Sequence, residues 1–256
     1  MGKLDGKVAF VAGGSQGIGE ETALLFGREG AKVAVLASGS LEKAEAVAAQ
    51  IRAGGGMASA HVADVRDTAA VARAVAEAEA AHGPIDILVN SAGVFPPTPC
   101  GTTDEAVYDS VMDINVKGTW NTIAAISPSM RARKTGWIVN VSSVLGSMAL
   151  ANYAVYCASK GAVNMLTRSL SIEFGRDGVH VNAIAPGNTA TPMNANLRTE
   201  EQYKGFVDAM GARTPSGRTY SKPQEMAQAI LYLCSADSMP VHGAILTLDE
   251  GFSLGF

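Results

Sequence analysis

Short apolar runs alternate along the chain with longer stretches whose apolar residues recur at helical spacing. The runs are rich in Val, Ile and Ala without a polar alternation, which is typical of strands buried on both faces. They occupy residues 7–13, 32–36, 57–62, 85–89, 137–141, 179–184 and 244–248. Helical patterns fill the intervals, at residues 18–28, 41–53, 68–81, 104–131, 153–174 and 221–234. Ser40 is the predicted N-cap of the second helix, and Ser221 with Gln224 predicts a capping box for the last.

Seven strands separated by helices predict an α/β fold with a doubly wound parallel sheet and helices on both faces. Parallel strands require crossover connections, and the helices in those crossovers cover the sheet. No repeat or linker divides the chain, so residues 1–256 are predicted to be one domain. Residues 188–220 are long, polar and without a strand pattern, which predicts a lid on the substrate side.

Composition narrows the class of protein. The 256 residues are 47% hydrophobic and carry a net charge of −4, which argues against disorder and against nucleic acid as a partner. Residues 135–159 lack charge but contain several Asn and Ser side chains, so no membrane span is expected. Three scattered cysteines and the absence of a signal-peptide pattern indicate a reducing, cytoplasmic location. The four histidines have no metal-ligand spacing, and no metal is expected.

A glycine-rich turn follows the first strand directly and opens the first helix. Glycines allow a sharp turn and a close approach to a pyrophosphate, which the N–H groups and dipole of the helix N-terminus stabilise. The turn therefore predicts nucleotide binding. Its residues are Gly13, Gly14, Ser15, Gln16, Gly17, Ile18 and Gly19.

Tyr156 and Lys160 are four residues apart on one predicted helix, and Ser143 lies just after the fifth strand. The spacing of four brings the phenol and the ammonium to the same helix face. A nearby cation favours phenolate, so the pKa of Tyr156 is expected to fall below its usual value of about 10. A hydroxyl at Ser143 stands at the carboxyl edge of the sheet, where doubly wound folds bind ligands.

These motifs together resemble the short-chain dehydrogenase/reductase family over essentially the whole chain. Ala12 stands where that family usually has threonine before the first glycine, and Ser91 replaces a usual asparagine. The resemblance implies the Rossmann strand order 3-2-1-4-5-6-7. The matching positions are Gly13, Gly17, Gly19, Asp64-Val65, Asn90-Ser91-Ala92-Gly93, Asn115, Ser143, Tyr156, Lys160, and Pro186-Gly187 through Thr191.

The resemblance also implies an activity, namely hydride transfer between a nicotinamide cofactor and a ketone or secondary alcohol. Tyr156 would be the general acid in reduction and the base in oxidation. Lys160 would lower its pKa and bind the nicotinamide ribose, Ser143 would orient the carbonyl, and Asn115 would hold a water that relays protons to Lys160. The expected dinucleotide contacts are Gly13, Ser15, Gln16, Gly17, Ile18, Gly19, Ser38, Asp64, Val65, Asn90, Ala92, Gly93, Tyr156, Lys160, Pro186, Gly187, Thr189 and Thr191.

The second strand bears on the choice between NADP(H) and NAD(H). NAD enzymes of this architecture usually place an acid about twenty residues past the glycines, to bind the ribose 2′-hydroxyl. Residues 37–40 are Ala-Ser-Gly-Ser, and the first acid is Glu42. NADP(H) is therefore favoured, with Ser38 among its contacts, although no arginine stands nearby and use of both cofactors stays open.

The sequence constrains the substrate, the partners and the choice between functions less closely than it constrains the fold. The apolar residues Phe95, Leu145, Tyr153 and Met193 predict a cleft for a medium-sized ketone or alcohol. A 3-oxoacyl substrate on an acyl carrier protein, as many family members use, is an alternative. Two others are a non-catalytic dinucleotide sensor on the same fold and a nucleotide-binding transferase. The resemblance further implies a homo-oligomer, a tetramer or a dimer, formed through the long helices after residues 104 and 153.

Overall fold

The computed structural model describes residues 2–254, and within them the strands form one parallel sheet of seven. The sheet order is β3-β2-β1-β4-β5-β6-β7, with every neighbouring pair parallel. Both the fold class and the strand order predicted above are confirmed. The strands are β1 (Val8–Ala12), β2 (Lys32–Ala37), β3 (Met57–Val62), β4 (Ile87–Asn90), β5 (Gly136–Val141), β6 (Val179–Pro186) and β7 (Ile245–Leu248).

Two helical layers cover the sheet. Alternate residues of β1 point to opposite faces, with Ala9 and Val11 in one core cluster and Val8 and Phe10 in the other. The first cluster packs α1 (Gly17–Arg28), α2 (Leu41–Ala53) and α9 (Pro223–Leu233) on the sheet. The second packs α3 (Thr68–His82), α5 (Gly118–Arg133) and α6 (Ala154–Phe174). Within residues 2–254 no helix is both long and apolar enough to cross a bilayer.

Capping explains why α2 begins where the sequence predicts. Ser40 precedes α2 in an extended conformation, and its Oγ accepts a hydrogen bond from the Lys43 N–H at 3.3 Å. This satisfies one of the N–H groups that the first turn of a helix leaves without a partner. The bounds predicted for α2 and β3 are confirmed.

The helical region predicted at residues 104–131 is confirmed, with a π-helical turn, Asp113–Lys117, between α4 (Glu105–Met112) and α5. One prediction about a helix start is wrong. The N-cap of α9 is Lys222 and not Ser221: the Glu225 carboxylate accepts from the Lys222 N–H at 2.6 Å. Pro223 supplies the fixed φ that suits a first helical position. Ser221 instead donates its hydroxyl to Glu250.

Residues 188–220 form short helices that leave and rejoin the sheet edge at one point. Thr189 and Ser221 make an isolated parallel bridge, in which the Ala190 N–H donates to the Ser221 carbonyl at 2.9 Å. Between these ends lie the 3₁₀ turns Pro192–Asn194 and Glu201–Tyr203 and two helices, α7 (Ala195–Thr199) and α8 (Lys204–Gly211). The segment is also tied to residues after β7, because Arg218 pairs with Glu250 at 3.2 Å and the Arg213 guanidinium lies over the Phe252 ring at 5.1 Å. The lid role of residues 188–220 stays a prediction.

Candidate active site

The glycine turn between β1 and α1 tolerates only glycine at two of its positions. Gly13 has φ of 77°, and a Cβ built there would lie 2.5 Å from the Ala92 amide nitrogen. A Cβ at Gly19 would lie 2.1 Å from the Gly13 carbonyl oxygen. Both contacts are with backbone atoms, which cannot move aside cheaply. The chain has therefore packed the turn closely against the loop after β4.

The same turn faces the loop after β6 across a crevice. A Cβ at Gly17 would meet the Thr191 side chain at 3.3 Å. Gln16, the N-cap of α1, makes no capping hydrogen bond through its side chain within the described residues. The first turn of α1 thus presents N–H groups at a concave backbone surface, which suits the pyrophosphate of a dinucleotide. The residues present fit the cofactor that the sequence predicts.

Asn194 holds the far wall of the crevice in place. Its Nδ2 donates to the Thr189 carbonyl at 2.8 Å, and its Oδ1 accepts from the Thr191 N–H at 3.2 Å. Gly187 is fixed separately, because its N–H donates to the Leu248 carbonyl on β7. Thr189 and Thr191 are the two residues expected to hold the carboxamide. Their backbone groups are therefore fixed on the crevice wall by the Asn194 side chain.

Tyr156 lies in the first turn of α6 and is 8% exposed, as is Ser143 after β5. Burial raises the pKa of Tyr156 to about 12, although a hydrogen bond with the Ser143 side chain acts in the opposite direction. The expectation that Lys160 lowers this pKa is therefore wrong for the protein alone, because the desolvation of the phenolate outweighs the other effects. At neutral pH the phenol is protonated and can donate to a carbonyl oxygen.

Lys160 is buried beneath Tyr156. Its Nζ donates to the Val141 carbonyl at 2.8 Å and lies 5.7 Å from the centroid of the Tyr156 ring. Burial lowers the pKa of Lys160 to about 8. Between this pH and the unfolded value of about 10.5, the unfolded chain holds a proton that the folded chain has lost. Lys160 therefore makes the protein more stable as pH rises through that window, and keeping it charged at neutral pH costs folding free energy.

Asn115 sits in the π-helical turn and is 1% exposed. Its Oδ1 accepts from the Val94 N–H at 2.9 Å, while Nδ2 donates to the Val94 carbonyl at 3.1 Å and to Ser159 Oγ at 3.0 Å. Ser159 donates in turn to the Tyr156 carbonyl. The side chain thus joins the loop after β4 to the helix that carries the tyrosine, while the water relay proposed for Asn115 stays a prediction. π-Helical turns often occur at such functional positions.

The Asn90 side chain is buried and belongs to a chain of hydrogen bonds that links β4 and β5 to α5 and α6. It donates to Asn140 at 2.9 Å and accepts from Thr122 at 2.6 Å, and Asn140 donates to Thr167. All four side chains are buried, so this chain of hydrogen bonds satisfies polar groups that would otherwise be costly. Asn90 therefore supports the ends of β4 and β5, and its contact with a cofactor stays a prediction.

Three further residues predicted to contact the cofactor, Asp64, Val65 and Ser38, follow β3 and β2. Asp64 follows β3, and the Arg66 guanidinium that binds its carboxylate holds the pKa of Asp64 below its usual value. Val65 beside it is buried, and a Cβ built at Gly118 would lie 2.5 Å from its side chain. Ser38 follows β2 and is exposed, so its hydroxyl is free to meet a ligand.

An aromatic group forms one wall beside the phenol. Phe95 stacks on Tyr153 with ring centroids 4.3 Å apart and meets Tyr156 edge-on at 4.5 Å. Leu145 is half-buried near Ser143, whose Oγ accepts its N–H. Met193 is 50% exposed on the lid segment. Of the four residues predicted for the substrate cleft, the structure brings Phe95 and Tyr153 together with Tyr156.

Sequence reasoning missed Thr98 and Ser159. Thr98 lies in the proline-containing loop after β4 and is 2% exposed; its Oγ1 accepts from the Val155 N–H in the first turn of α6. Its own N–H donates to the Asn152 carbonyl at 2.6 Å. A threonine flanked by Pro97 and Pro99 was the available signal, since a rigid loop can hold a cap at a fixed place.

Comparison with known proteins places these features in a family. A family model described as short chain dehydrogenase matches residues 7–202. The chain is 39% identical over 259 residues to oxidoreductase UcpA of Escherichia coli (strain K12), covering 99% of this chain and 97% of that protein. It is also 39% identical to galactitol 2-dehydrogenase (L-tagatose-forming) of Cereibacter sphaeroides, covering 98% of this chain and 97% of that one.

A solved structure agrees over the same extent. The crystal structure of a gluconate 5-dehydrogenase from Burkholderia cenocepacia J2315, in complex with NADP and tartrate, superposes with a TM-score of 0.92 at 34% identity. The match covers 99% of this chain and 97% of that one. The match in sequence and the match in fold therefore each cover almost the whole chain.

Proposed function

Because the chain belongs to the short-chain dehydrogenase/reductase family, we propose that it transfers a hydride between NADP(H) and a ketone or secondary alcohol. The family makes it an oxidoreductase that acts on alcohol and ketone groups. The observation that carries the finer proposal is the buried contact of Tyr156 with Ser143 above Lys160, at the sheet edge that holds the glycine turn. Neither a dinucleotide sensor nor a transferase needs a buried phenol beside a serine hydroxyl and a buried lysine at this place.

Bound NADP(H) supplies the hydride in reduction and receives it in oxidation. In reduction, Tyr156 donates its phenolic proton to the carbonyl oxygen as the C–O double bond becomes a single bond. The Ser143 hydroxyl donates a hydrogen bond to the same oxygen and so stabilises the negative charge that develops there. The Lys160 ammonium stabilises the phenolate left on Tyr156. In oxidation the proton moves from the alcohol back to Tyr156.

The cofactor preference follows from the end of β2. Ser38 is exposed, and no acidic residue lies between the end of β2 and Glu42. Helix α2 begins at Leu41, so its N-terminus is close by. A helix N-terminus and hydroxyl groups favour a 2′-phosphate, whereas a carboxylate would repel it. The NADP in the gluconate 5-dehydrogenase structure supports the same choice.

Ser38→Asp is expected to reverse this preference. The new carboxylate repels a 2′-phosphate but can accept a hydrogen bond from a 2′-hydroxyl, so kcat/KM with NADPH should fall by about 100-fold while that with NADH does not fall. Initial rates measured with each cofactor at a fixed ketone concentration give both values. Ser38→Asn is the matched control, since it has a similar size without the charge. Equal effects of the two substitutions would mean that Ser38 does not lie beside the ribose.

The wall made by Phe95 and Tyr153 supports a medium-sized substrate with an apolar or planar part next to its carbonyl. Two relatives are named for the oxidation of galactitol and gluconate, which makes open-chain polyols the second class to examine. A panel of ketones, polyols and 3-oxoacyl thioesters, assayed at 340 nm with reduced and oxidised forms of both cofactors, tests the proposal directly. Binding of NADPH with no turnover of any ketone or alcohol would favour the sensor instead.

We also propose that the protein is a homo-oligomer through the layer of α4, α5 and α6. Large apolar side chains are exposed on each of these helices: Tyr108 on α4, Trp120 on α5, and Met165 and Ile172 on α6. Ile172 is 85% exposed, which is unusual for an isoleucine on a helix of this length. A second copy of the same face would cover these side chains in a symmetric interface.

Ile172→Asp is expected to reduce the mass in solution to that of one chain. A carboxylate at the centre of an apolar interface must be desolvated without a partner, whereas on an exposed helix surface it costs little. Size-exclusion chromatography with light scattering measures the mass. Met57→Asp is the control, because Met57 is 54% exposed on β3, an edge strand of the sheet. This variant should leave the mass unchanged. A parent protein that is already monomeric refutes the proposal.

A further inference from the structure

Helix α6, which carries Tyr156 and Lys160, begins without a capping side chain of its own. Its N-cap position is Tyr153, whose side chain makes no capping hydrogen bond in the described chain. Short polar side chains such as Ser, Thr, Asp and Asn suit this position, and an aromatic ring does not. The Tyr153 ring instead stacks on Phe95, with centroids 4.3 Å apart. The usual place of a cap is therefore taken by a ring of the proposed substrate wall.

Tyr156 itself belongs to the exposed end of this helix, because it is the third residue after the start at Ala154. The N–H groups of a first helical turn have no partner inside the helix. The Cys157 N–H is the first in α6 to donate along the described chain, to the Tyr153 carbonyl at 2.9 Å. Helix ends fray when such groups are left without a cap. Fraying here would move the phenol away from Lys160, which lies one turn further along.

Thr98 supplies a cap from the loop after β4. Its Oγ1 accepts from the Val155 N–H, the second of the helix, at 3.3 Å. Its own N–H donates to the Asn152 carbonyl at 2.6 Å. The two hydrogen bonds lie on either side of Tyr153, and Thr98 is only 2% exposed, so water has little access to them. One residue of another loop thus holds both ends of the segment that enters α6.

The loop that carries Thr98 is itself fixed. Val94, four residues earlier, bonds to the Asn115 side chain through its N–H at 2.9 Å and through its carbonyl at 3.1 Å. Prolines at positions 96, 97 and 99 fix φ on both sides of Thr98. A hydroxyl on such a loop loses little conformational freedom when it binds the helix. The cap is therefore held at one place relative to the rest of the site.

We propose that Thr98 is a positioning residue for the reaction, whose hydroxyl fixes the first turn of α6 and thereby holds the Tyr156 phenol beside Ser143. This inference rests on the proposed function, because it concerns the placement of the proton donor. Thr98 acts through the backbone of Val155. Such placement matters, since a displacement of about 1 Å can lower a catalysed rate on the order of 100-fold.

Amide hydrogen exchange tests the cap in the unsubstituted protein, without substrate and without a variant that has to fold. Ala154 is exposed in the same turn, and its N–H has no partner in the described chain. After correction for intrinsic rates, the Val155 amide should exchange at least about tenfold more slowly than that of Ala154. Mass spectrometry with residue-level fragmentation measures both. Equal exchange at the two amides would overturn the proposal, whether or not the protein reduces ketones.

Thr98→Val keeps the branched shape of the side chain and removes the hydroxyl. It should lower kcat for ketone reduction at least about tenfold, while the KM for the ketone and the Kd for NADPH stay within about threefold. Thr98→Ser keeps the hydroxyl and should have a kcat within about twofold of the parent. Exchange of the Val155 amide should become faster in Thr98→Val and stay slow in Thr98→Ser.

Thr103→Val is the matched control. Thr103 lies further along the same loop, and its hydroxyl donates to the Pro99 carbonyl at 2.8 Å, a bond within the loop and not to α6. This variant removes a hydrogen-bonded threonine hydroxyl as Thr98→Val does. It should leave both kcat and the exchange of the Val155 amide as they are in the parent.

The role of Thr98 is refuted if Thr98→Val keeps the kcat of the parent, because α6 then holds Tyr156 without this cap. It is equally refuted if Thr98→Ser is as slow as Thr98→Val, since the hydroxyl would then not be the group that matters, or if Thr103→Val is as slow. A parent protein that reduces no ketone refutes the proposed function and with it the part of Thr98 in the reaction. The exchange of the Val155 amide still decides, in that case, whether Thr98 caps the helix.

Discussion

Tyr156→Phe is expected to lower kcat for ketone reduction on the order of 10³-fold while the Kd for NADPH stays within about threefold. The phenolic oxygen is the only atom removed, and it is the proton donor in the proposed reaction. The ring remains packed edge-on against Phe95, so the fold and the crevice should be unaffected. Steady-state kinetics and fluorescence titration with NADPH measure the two quantities separately.

Tyr153→Phe is the matched control for this variant, because it removes a phenolic oxygen from the ring stacked on the other side of Phe95. It should leave kcat within about tenfold of the parent. The pH profile adds a second test: alcohol oxidation needs the phenolate, so its rate in the parent should rise with pH, and Tyr156→Phe should lose that rise. Reduction by Tyr156→Phe at the rate of the parent would disprove the mechanism.

The fold was predictable from the sequence because its signals are local and repeated. Each strand is a short run of branched residues between helical patterns, and the glycine turn marks where the sheet begins. The start of α2 was predictable for the same reason, because Ser40 caps this helix through a residue only three positions further along the chain. The predictions that failed depend on choices between neighbouring residues, as at Ser221 and Lys222, where the position of Pro223 decides the helix start.

The candidate site was only partly predictable, for a different reason. The residue types and spacings of Ser143, Tyr156 and Lys160 can be read from the sequence, but the burial of these side chains cannot. Burial makes the phenol a weaker acid than expected and the lysine a weaker base. Likewise Asn115, in the π-helical turn, is hydrogen-bonded to Val94, twenty-one residues away, and such a contact leaves no periodic trace in the sequence.

The predicted lid, residues 188–220, would bear on catalysis through access to the crevice. Tyr156, Ser143 and Lys160 are already buried to within a tenth of their surface, so they do not depend on closure for desolvation. Residues 188–220 are joined to the rest of the chain at the bridge between Thr189 and Ser221 and by the ion pair of Arg218 with Glu250, and they include Thr191 of the crevice wall. We expect movement of this segment to change access to the cofactor crevice more than the geometry of the catalytic group.

Gly19→Ala is expected to weaken NADPH binding by about 100-fold, equivalent to roughly 2.8 kcal/mol at ~1.4 kcal/mol per tenfold. The added Cβ would stand 2.1 Å from the Gly13 carbonyl oxygen, which is part of the glycine turn itself. The turn and the N-terminus of α1 must separate to admit it, and this disperses the N–H groups that face the crevice. Stability should also fall, by about 1–3 kcal/mol.

Gly205→Ala separates this clash from the general effect of replacing glycine in a helix. A Cβ at Gly205 in α8 meets nothing within 4 Å, and alanine is the better helix former by about 1 kcal/mol, so that variant should be as stable as the parent or more so. Calorimetric titration with NADPH and thermal unfolding give both quantities for each protein. If Gly19→Ala binds NADPH as tightly as the parent, then the close packing of this turn serves the sheet alone, and the cofactor must be held by the other wall of the crevice.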